Sequence, residues 1–336
     1  MEALRKQQAD INFNECNNHE ESLLARNVAR GDSSLVKYYL SIKGINVDAR
    51  TSKGATPLYI AIRTNQPETA LLLVEHGADL FLKTNSGDDA LTAAKQLGNQ
   101  ELYDFVFNKY ETRRISQSTN IIKEFIDTEW SFCNQLEILH YVFQTKLKSD
   151  LPVSGRALRS LFANLEDVYQ QCRKFVLDLE GVAELPPEQQ NVGQRIVNHL
   201  SYFRSFREYC KYQTISSKSL RVMQGDSVFR EWLKGIEDDL KSQNKPHKIE
   251  EYLIKPVQRI CRHQLLVREL LKYTSESYAD YKLLERSAEE IKKVLNESNE
   301  LKRGLDHVEV GGLRTAINDI MIEYLQLFSF CTSFCG

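Results

Sequence analysis

An internal repeat of 33 residues is the feature of this sequence that most restricts its fold. The block Gly-Ala-Thr-Pro-Leu-Tyr-Ile-Ala at residues 54–61 is matched by Gly-Asp-Asp-Ala-Leu-Thr-Ala-Ala at residues 87–94. A weaker copy begins at Ser22, and a second apolar block follows each copy. A repeat of this period predicts a solenoid, because one short unit cannot bury its apolar face without its neighbours.

The middle copy resembles the ankyrin repeat, from residues 54–61 through Leu-Leu-Val-Glu-His-Gly-Ala-Asp at residues 72–79. Thr56 and Pro57 predict the start of a helix, where proline needs no donor. Gly77 predicts the end of the second helix, where a left-handed residue is favoured. The outer copies match less closely, as capping repeats do. We expect about three ankyrin repeats over residues 19–110, after an N-terminal tail of residues 1–18.

The rest of the chain has the pattern of long amphipathic helices. With only 15 Gly and 7 Pro in 336 residues, the composition favours a helix-rich protein of roughly two domains. One apolar stripe alternates steps of three and four residues and predicts a single continuous run of about six helical turns. Its members are Leu158, Leu161, Leu165, Val168, Cys172, Phe175 and Leu179. The predicted fold is therefore all-α, a short solenoid followed by an elongated helical bundle.

Residues 252–272, Tyr-Leu-Ile-Lys-Pro-Val-Gln-Arg-Ile-Cys-Arg-His-Gln-Leu-Leu-Val-Arg-Glu-Leu-Leu-Lys, closely resemble the most characteristic segment of the Dbl-homology domain. This domain is the helical module of Rho guanine-nucleotide exchange factors. Residues 128–136 and 161–169 resemble its first and second helices, in the right order. The resemblance implies a Dbl-homology (RhoGEF) domain over residues 115–306. Residues 307–336 form a C-terminal tail that we expect to contain no complete pleckstrin-homology domain.

The chain departs from the family at His263-Gln264, where Tyr-Pro is usual. Because a proline there would lie inside a helix, its loss should not harm folding. The change could alter the curvature of the helix and the fit of a bound partner.

The resemblance also implies which residues bind the GTPase. It assigns Glu129 to the first switch of the GTPase and Gln258, Arg262 and Asn299 to the second, and it places Ile254 on the contact helix. Each has a structural alternative: Glu129 as a solvated helix glutamate, Gln258 and Arg262 as an exposed polar face, Asn299 as an ordinary surface residue. We expect Glu129 on a solvent-facing helix surface. Arg259, by contrast, is interpreted as a structural residue that could pair with a carboxylate inside the bundle.

The function that the resemblance implies is guanine-nucleotide exchange on a Rho-family GTPase, with the ankyrin repeats as a protein-interaction or regulatory module. No covalent chemistry, catalytic residue or cofactor is expected, because the sequence lacks a phosphate-binding loop and a nucleophile elbow. The histidines and cysteines show no metal-ligand spacing and no disulfide framework. The alternatives are an inactive ankyrin and helical-bundle scaffold and, with less support, an enzyme.

Charge and hydropathy limit the partners further. The formal net charge is −2 without a basic excess in either part, so nucleic acid is not an expected partner. The sequence has no apolar run long enough for a transmembrane segment, and its start lacks the pattern of a signal peptide. We expect a cytoplasmic location, with recruitment to membranes left to partners, and an unknown protein ligand for the ankyrin repeats. No flexible linker follows residue 110, so we expect joined rather than tethered domains.

Overall fold

The computed structural model describes residues 14–16 and 21–308, with side chains through residue 300. The chain divides into two units, Met1–Arg114 and Ile115–Gly336. The described residues form helices, with a single antiparallel bridge between Cys16 and Ser22 in place of strands. The predicted all-α class is therefore confirmed. The expectations for residues 309–336, and for most of the N-terminal tail, lie outside the described residues.

The first unit is a stack of helix pairs. Its helices are α1 (Leu23–Arg30), α2 (Ser33–Leu40), α3 (Pro57–Arg63), α4 (Pro67–Glu75), α5 (Ala90–Leu97) and the first part of α6 (Gln100–Glu137). Helices α1, α3 and α5 pack on one another in series, and α2 packs on α4. Leu24, Leu58, Leu73 and Ala94 are fully buried between the layers. Each pair thus buries its apolar face on the next, as a solenoid requires.

The repeat also recurs in the caps of the helices. Ser22, Thr56 and Asp89 each accept a hydrogen bond from the backbone N–H three residues later, at 3.2, 3.2 and 2.9 Å. These side chains satisfy backbone donors that the first turn of a helix leaves free. Gly77, just beyond α4, has φ of 91°. The start predicted at Thr56-Pro57 and the left-handed end predicted at Gly77 are both confirmed.

The second unit is a bundle of helices around one apolar core. The rest of α6 is followed by a π-helical segment (Ile138–Thr145), α7 (Lys146–Asp150), α8 (Gly155–Phe162), α9 (Leu165–Leu179), α10 (Val192–Asn198), α11 (Leu200–Met223), α12 (Ser227–Ser242), α13 (Ile249–Leu253), α14 (Lys255–Lys272) and α15 (Tyr281–Val308). Short 3₁₀ turns at Val182–Glu184 and Pro187–Gln189 lie between α9 and α10. No helix among the described residues is both long enough and apolar enough to cross a bilayer.

The predicted stripe from Leu158 to Leu179 is not one continuous run of helix. Helix α8 ends at Phe162, Ala163 takes φ of 51° and ψ of −129°, and α9 begins at Leu165. The side-chain amide of Asn164 donates to the backbone oxygen of Ser205 at 3.0 Å and holds the turn. Both helices face the same core, so the apolar spacing continues across a break that no glycine or proline marks.

Ala163 gives a prediction about stability. Its backbone conformation is open to glycine and strained for a residue with a Cβ, at a cost of about 1–3 kcal/mol. Substitution by glycine removes this strain, but part of the gain is offset because glycine loses more conformational entropy on folding. Ala163→Gly should raise the free energy of unfolding by about 1 kcal/mol in chemical denaturation. Ala157→Gly, inside α8, is the control and should lower it. Equal losses in both variants would contradict this account of Ala163.

Helix α15 approaches α10 closely through Gly193. A Cβ at residue 193 would lie 2.5 Å from the backbone nitrogen of Leu284, so only glycine fits this contact. The carboxylate of Asp280 accepts from the backbone N–H groups of Gly193 and Gln194 at 2.7 and 2.8 Å. These contacts fix the start of α15 on the bundle, and the helix carries Asn299 near its far end.

Candidate functional site

A surface groove lies where the bundle part of α6 meets α14. It has a volume of about 180 Å³, and Gln258 and Arg262 of α14 line one side. Both side chains are exposed, and they lie one turn apart on the same face. The other described lining residues are Thr128, Ser131, Phe132, Gln135, Lys255 and Arg259. The structure therefore brings two of the sequence-predicted site residues to one accessible surface.

Glu124 joins this surface through an ion pair with Arg262. The guanidinium Nη2 and the carboxylate Oε1 are 2.9 Å apart, and the two side chains are 51% and 52% exposed. An exposed pair of this kind is worth only about 0–1 kcal/mol, so either member can change partners at little cost. Glu124 was not among the residues that the sequence predicted for the site. The sequence feature that could have identified it is its spacing from Thr128, Ser131 and Gln135, because this spacing puts the four residues on one face of α6.

Glu129 is not on a solvent-facing surface, and that expectation is wrong. Its side chain is fully buried. The physical reason is helical register. The spacing along α6 places Glu129 on the same helix face as Phe125, Phe132 and Leu136, and all three of these side chains are buried. A glutamate on that face must be paired to be tolerated.

The partners of Glu129 come from three other helices. Arg259 of α14 donates from Nε at 2.9 Å and also forms an ion pair through Nη2. His263 Nε2 lies 2.7 Å from the carboxylate. The Tyr202 hydroxyl donates from α11, and the Cys172 thiol of α9 lies 3.7 Å from Oε1. We call Glu129, Arg259, His263 and Tyr202 the buried network; it ties α6, α11 and α14 together. Arg259 thus pairs with a carboxylate inside the bundle, which agrees with its structural interpretation.

The charges of the buried network are set by burial and by pairing. Burial alone would raise the pKa of Glu129, but the charge of Arg259 and the contact with His263 hold the pKa of this carboxyl well below its usual range. Burial lowers the pKa of His263, whereas the negative charge of Glu129 acts to raise it. The network is therefore one carboxylate with one guanidinium, and a neutral imidazole that donates from Nε2 to Glu129. The Nδ1 of His263 is buried and makes no hydrogen bond with any described residue.

His263 and Gln264 lie within an unbroken α14, as expected from the loss of the proline. The imidazole is fully buried and lies among the rings of Phe125, Tyr202, Phe203 and Phe206, with centroids 5.0–5.9 Å apart. The departure from the family pattern thus places a titratable ring at the centre of the bundle. Sequence spacing did not indicate that role.

Besides Glu129, two more predicted site residues, Asn299 and Ile254, do not line the groove. Asn299 is exposed on α15. Ile254 is half-buried between α13 and α14, and its backbone oxygen accepts from Gln258 N at 3.2 Å. Within the part of the chain that the structure describes, no group of three or more His, Cys, Asp or Glu side chains could hold a metal ion.

The sequence matches the RhoGEF domain family over residues 121–299 and a three-copy ankyrin-repeat family over residues 22–117. The RhoGEF match covers more than half of the chain, and the chain belongs to this family. The bundle is thus a RhoGEF domain, preceded by ankyrin repeats.

The chain is also similar to several curated proteins. Human Rho guanine nucleotide exchange factor 9 is 28% identical over 199 residues, which is 58% of this chain and 38% of that protein. Myosin-M heavy chain of Dictyostelium discoideum is 27% identical over 228 residues, or 66% of this chain and 13% of that protein. Human spermatogenesis-associated protein 13 is 26% identical over 254 residues, which is 75% of this chain and 36% of that protein. The chain therefore spans well under half the length of these relatives.

Solved structures share the bundle fold. The linker-DH/PH domains of p115-RhoGEF align with a TM-score of 0.52 at 17% identity, covering 58% of this chain and 60% of that one. The DH/PH domain of human ARHGEF11, solved in a ternary complex with human RhoA and its inhibitor, aligns with a TM-score of 0.51 at 18% identity. That alignment covers 56% of this chain and 54% of the other.

Proposed function

We propose that this chain is a guanine-nucleotide exchange factor that promotes GDP release from a Rho-family small GTPase by binding its switch regions. The observation that carries the proposal is the exposed face of Glu124, Gln258 and Arg262 beside the groove, on a RhoGEF domain. The name of its relative Rho guanine nucleotide exchange factor 9, and the complex of ARHGEF11 with RhoA, support the class of activity and the class of partner.

The face offers the chemistry that a polar partner segment needs. Arg262 presents several donors, Glu124 presents acceptors, and Gln258 presents both. Because Arg262 and Glu124 are about half exposed, each can give up the other for a partner group without a large desolvation cost. We assign Ile254 and Asn299 to the outer part of the same contact surface. Glu129 does not belong to this surface, because its buried side chain cannot reach a bound partner. Its proposed role is to position α6 and α14 through the buried network.

Exchange requires no covalent step in this chain. The GTPase holds its nucleotide through a phosphate loop, two switches and a magnesium ion. A partner that binds the switches in a conformation unsuited to nucleotide shifts the population of the GTPase toward the empty state. The coupling is reciprocal, so the nucleotide must weaken the complex by the same factor. The complex should therefore be tightest with nucleotide-free GTPase.

The ankyrin repeats have the proposed role of a protein-interaction or regulatory module. Their helices expose Leu35, Tyr38 and Leu71, which suits contact with another protein. We propose that the chain acts in the cytoplasm, with membrane recruitment supplied by its partners.

The experiment is release of fluorescent GDP from a panel of Rho-family GTPases, each with and without the full chain and with excess unlabelled nucleotide. Acceleration for at least one GTPase is the expected result. Chelation of magnesium serves as the control that each GTPase can release its nucleotide. If no GTPase responds to the chain while all respond to chelation, the proposed activity is wrong. Tight binding without release would instead identify the scaffold.

A further inference from the structure

The second helices of the three ankyrin repeats follow one register. Helix α2 begins at Ser33, α4 at Pro67 and α6 at Gln100, so equivalent positions lie 34 and then 33 residues apart. A position on one of these helices can therefore be compared directly with its equivalent on the next. Because each repeat packs only on its neighbours, a difference in burial between equivalent positions shows which side of a helix a neighbour covers.

The middle helix, α4, buries two rows of side chains. Thr69 and Leu73 are one turn apart and form the first row, and Ala70 and Val74 form the second. All four side chains are buried. Helix α4 has one second helix before it in the stack and one after it, so each row has a neighbour available.

The last helix of the stack, the ankyrin part of α6, keeps only the first row covered. Leu102 and Val106 are the equivalents of that row and are buried in the same apolar core as α4. Tyr103 and Phe107 are the equivalents of the second row; Tyr103 is half-buried, and Phe107 is 40% exposed. Their rings stack with centroids 5.8 Å apart. The first row therefore faces the preceding helix, and the second row faces the position of a following one.

The first helix, α2, shows the opposite pattern. Val36 and Leu40, in its second row, are buried, and α2 packs on α4. Leu35 and Tyr39, in its first row, are 41% exposed and half-buried, respectively. Among the described residues no helix precedes α1 and α2. We call Leu35 with Tyr39 the first end face, and Tyr103 with Phe107 the last end face.

We propose that two copies of this chain associate end to end, with the last end face of one copy packed on the first end face of the other. The stack already uses this contact internally, because the second row of each helix meets the first row of the next. A second copy therefore continues an interface that the repeats have built. The inference rests on the proposed role of the ankyrin repeats as a protein-interaction module and not on the exchange activity.

The charges beside the end faces favour this arrangement. Lys37 and Asp104 are both exposed and occupy equivalent positions on α2 and α6. Neighbouring packed helices have axes about 8–10 Å apart, so end-to-end packing places Asp104 of one copy beside Lys37 of the next. Opposite charges favour contact between unlike ends, and like charges disfavour contact between two identical ends. The contact is therefore heterologous, and it adds further copies at high concentration unless a ring closes.

The test is sedimentation of the full chain over a range of protein concentrations. The weight-average mass should rise with concentration. Leu35→Glu and Phe107→Glu should each abolish this rise, because each substitution puts a charge into the apolar contact. Leu71→Glu is the matched control, since Leu71 is 39% exposed on the middle helix and belongs to neither end face. This variant should associate as the wild type does.

An equimolar mixture of the two end variants shows which faces meet. Phe107→Glu keeps an intact first end face, and Leu35→Glu keeps an intact last end face. The mixture should therefore form a complex of two copies and no larger species. A wild-type chain that stays monomeric at every concentration, or a mixture that does not associate, would overturn the proposal. GDP release measured where the chain is monomeric tests the exchange activity separately, so either proposal can fail without the other.

Discussion

Glu129→Ala should lower the free energy of unfolding of the bundle by about 3–5 kcal/mol, the cost of breaking a buried ion pair from one side. The substitution leaves the guanidinium of Arg259, which is only 5% exposed, without its carboxylate. It also removes the acceptor of Tyr202 and His263. Chemical denaturation of the full chain, followed by loss of helical circular dichroism, measures the change.

Glu124→Ala is the matched control, because Glu124 is a glutamate on the same helix with an exposed ion pair. Its unfolding free energy should change by about 1 kcal/mol or less. Equal stability losses in the two variants would contradict the burial assigned to Glu129.

A double substitution separates the charge of Glu129 from its packing. Replacing both members of a buried pair with apolar residues of similar volume is often neutral or stabilising. Glu129→Leu combined with Arg259→Met should therefore recover much of the stability that either single change removes. Additive losses would show that the pair contributes through packing rather than through its charges.

Local signals made the ankyrin unit predictable from sequence. The caps at Thr56 and Gly77 depend on the chemistry of one or two residues and on the backbone beside them. The 33-residue period then fixes which faces must pack on each other. None of these inferences needs information from distant parts of the chain.

The candidate site was only partly predictable, because it depends on which helix face meets which neighbour. The spacing of α14 placed Gln258 and Arg262 on one face correctly. The solvent-facing position expected for Glu129 was wrong, because the register of α6 places its side chain with the buried Phe125 and Phe132. A buried glutamate is rare unless it is paired. Its partners Arg259 and Tyr202 lie 130 and 73 residues away in sequence, and no local pattern connects them.

The break at Ala163 was unpredictable for a related reason. Apolar periodicity shows which residues face the core. It does not reveal a turn when the helices on both sides of that turn face the same core.

Arg262→Ala should reduce the acceleration of GDP release by about 30-fold, while leaving the thermal melting curve unchanged. The loss of a charge-assisted contact near the centre of an interface costs about 2 kcal/mol or more, which corresponds to this factor. Melting should not change, because the ion pair with Glu124 is half exposed and contributes little to folding. Glu124→Ala should behave in the same way, and Asn299→Ala should have a smaller effect.

Arg268→Ala is the control for the loss of a positive charge on α14. Arg268 is exposed on the same helix but lies six residues further on and lines a different pocket, with residues of α15. Its removal should leave exchange on the responsive GTPase unchanged. Glu129→Ala cannot serve in this comparison, because any loss of exchange would include loss of the folded bundle. If Arg262→Ala retained full exchange and Arg268→Ala did not, the proposed contact face would move from the groove to the side of α14 that faces α15.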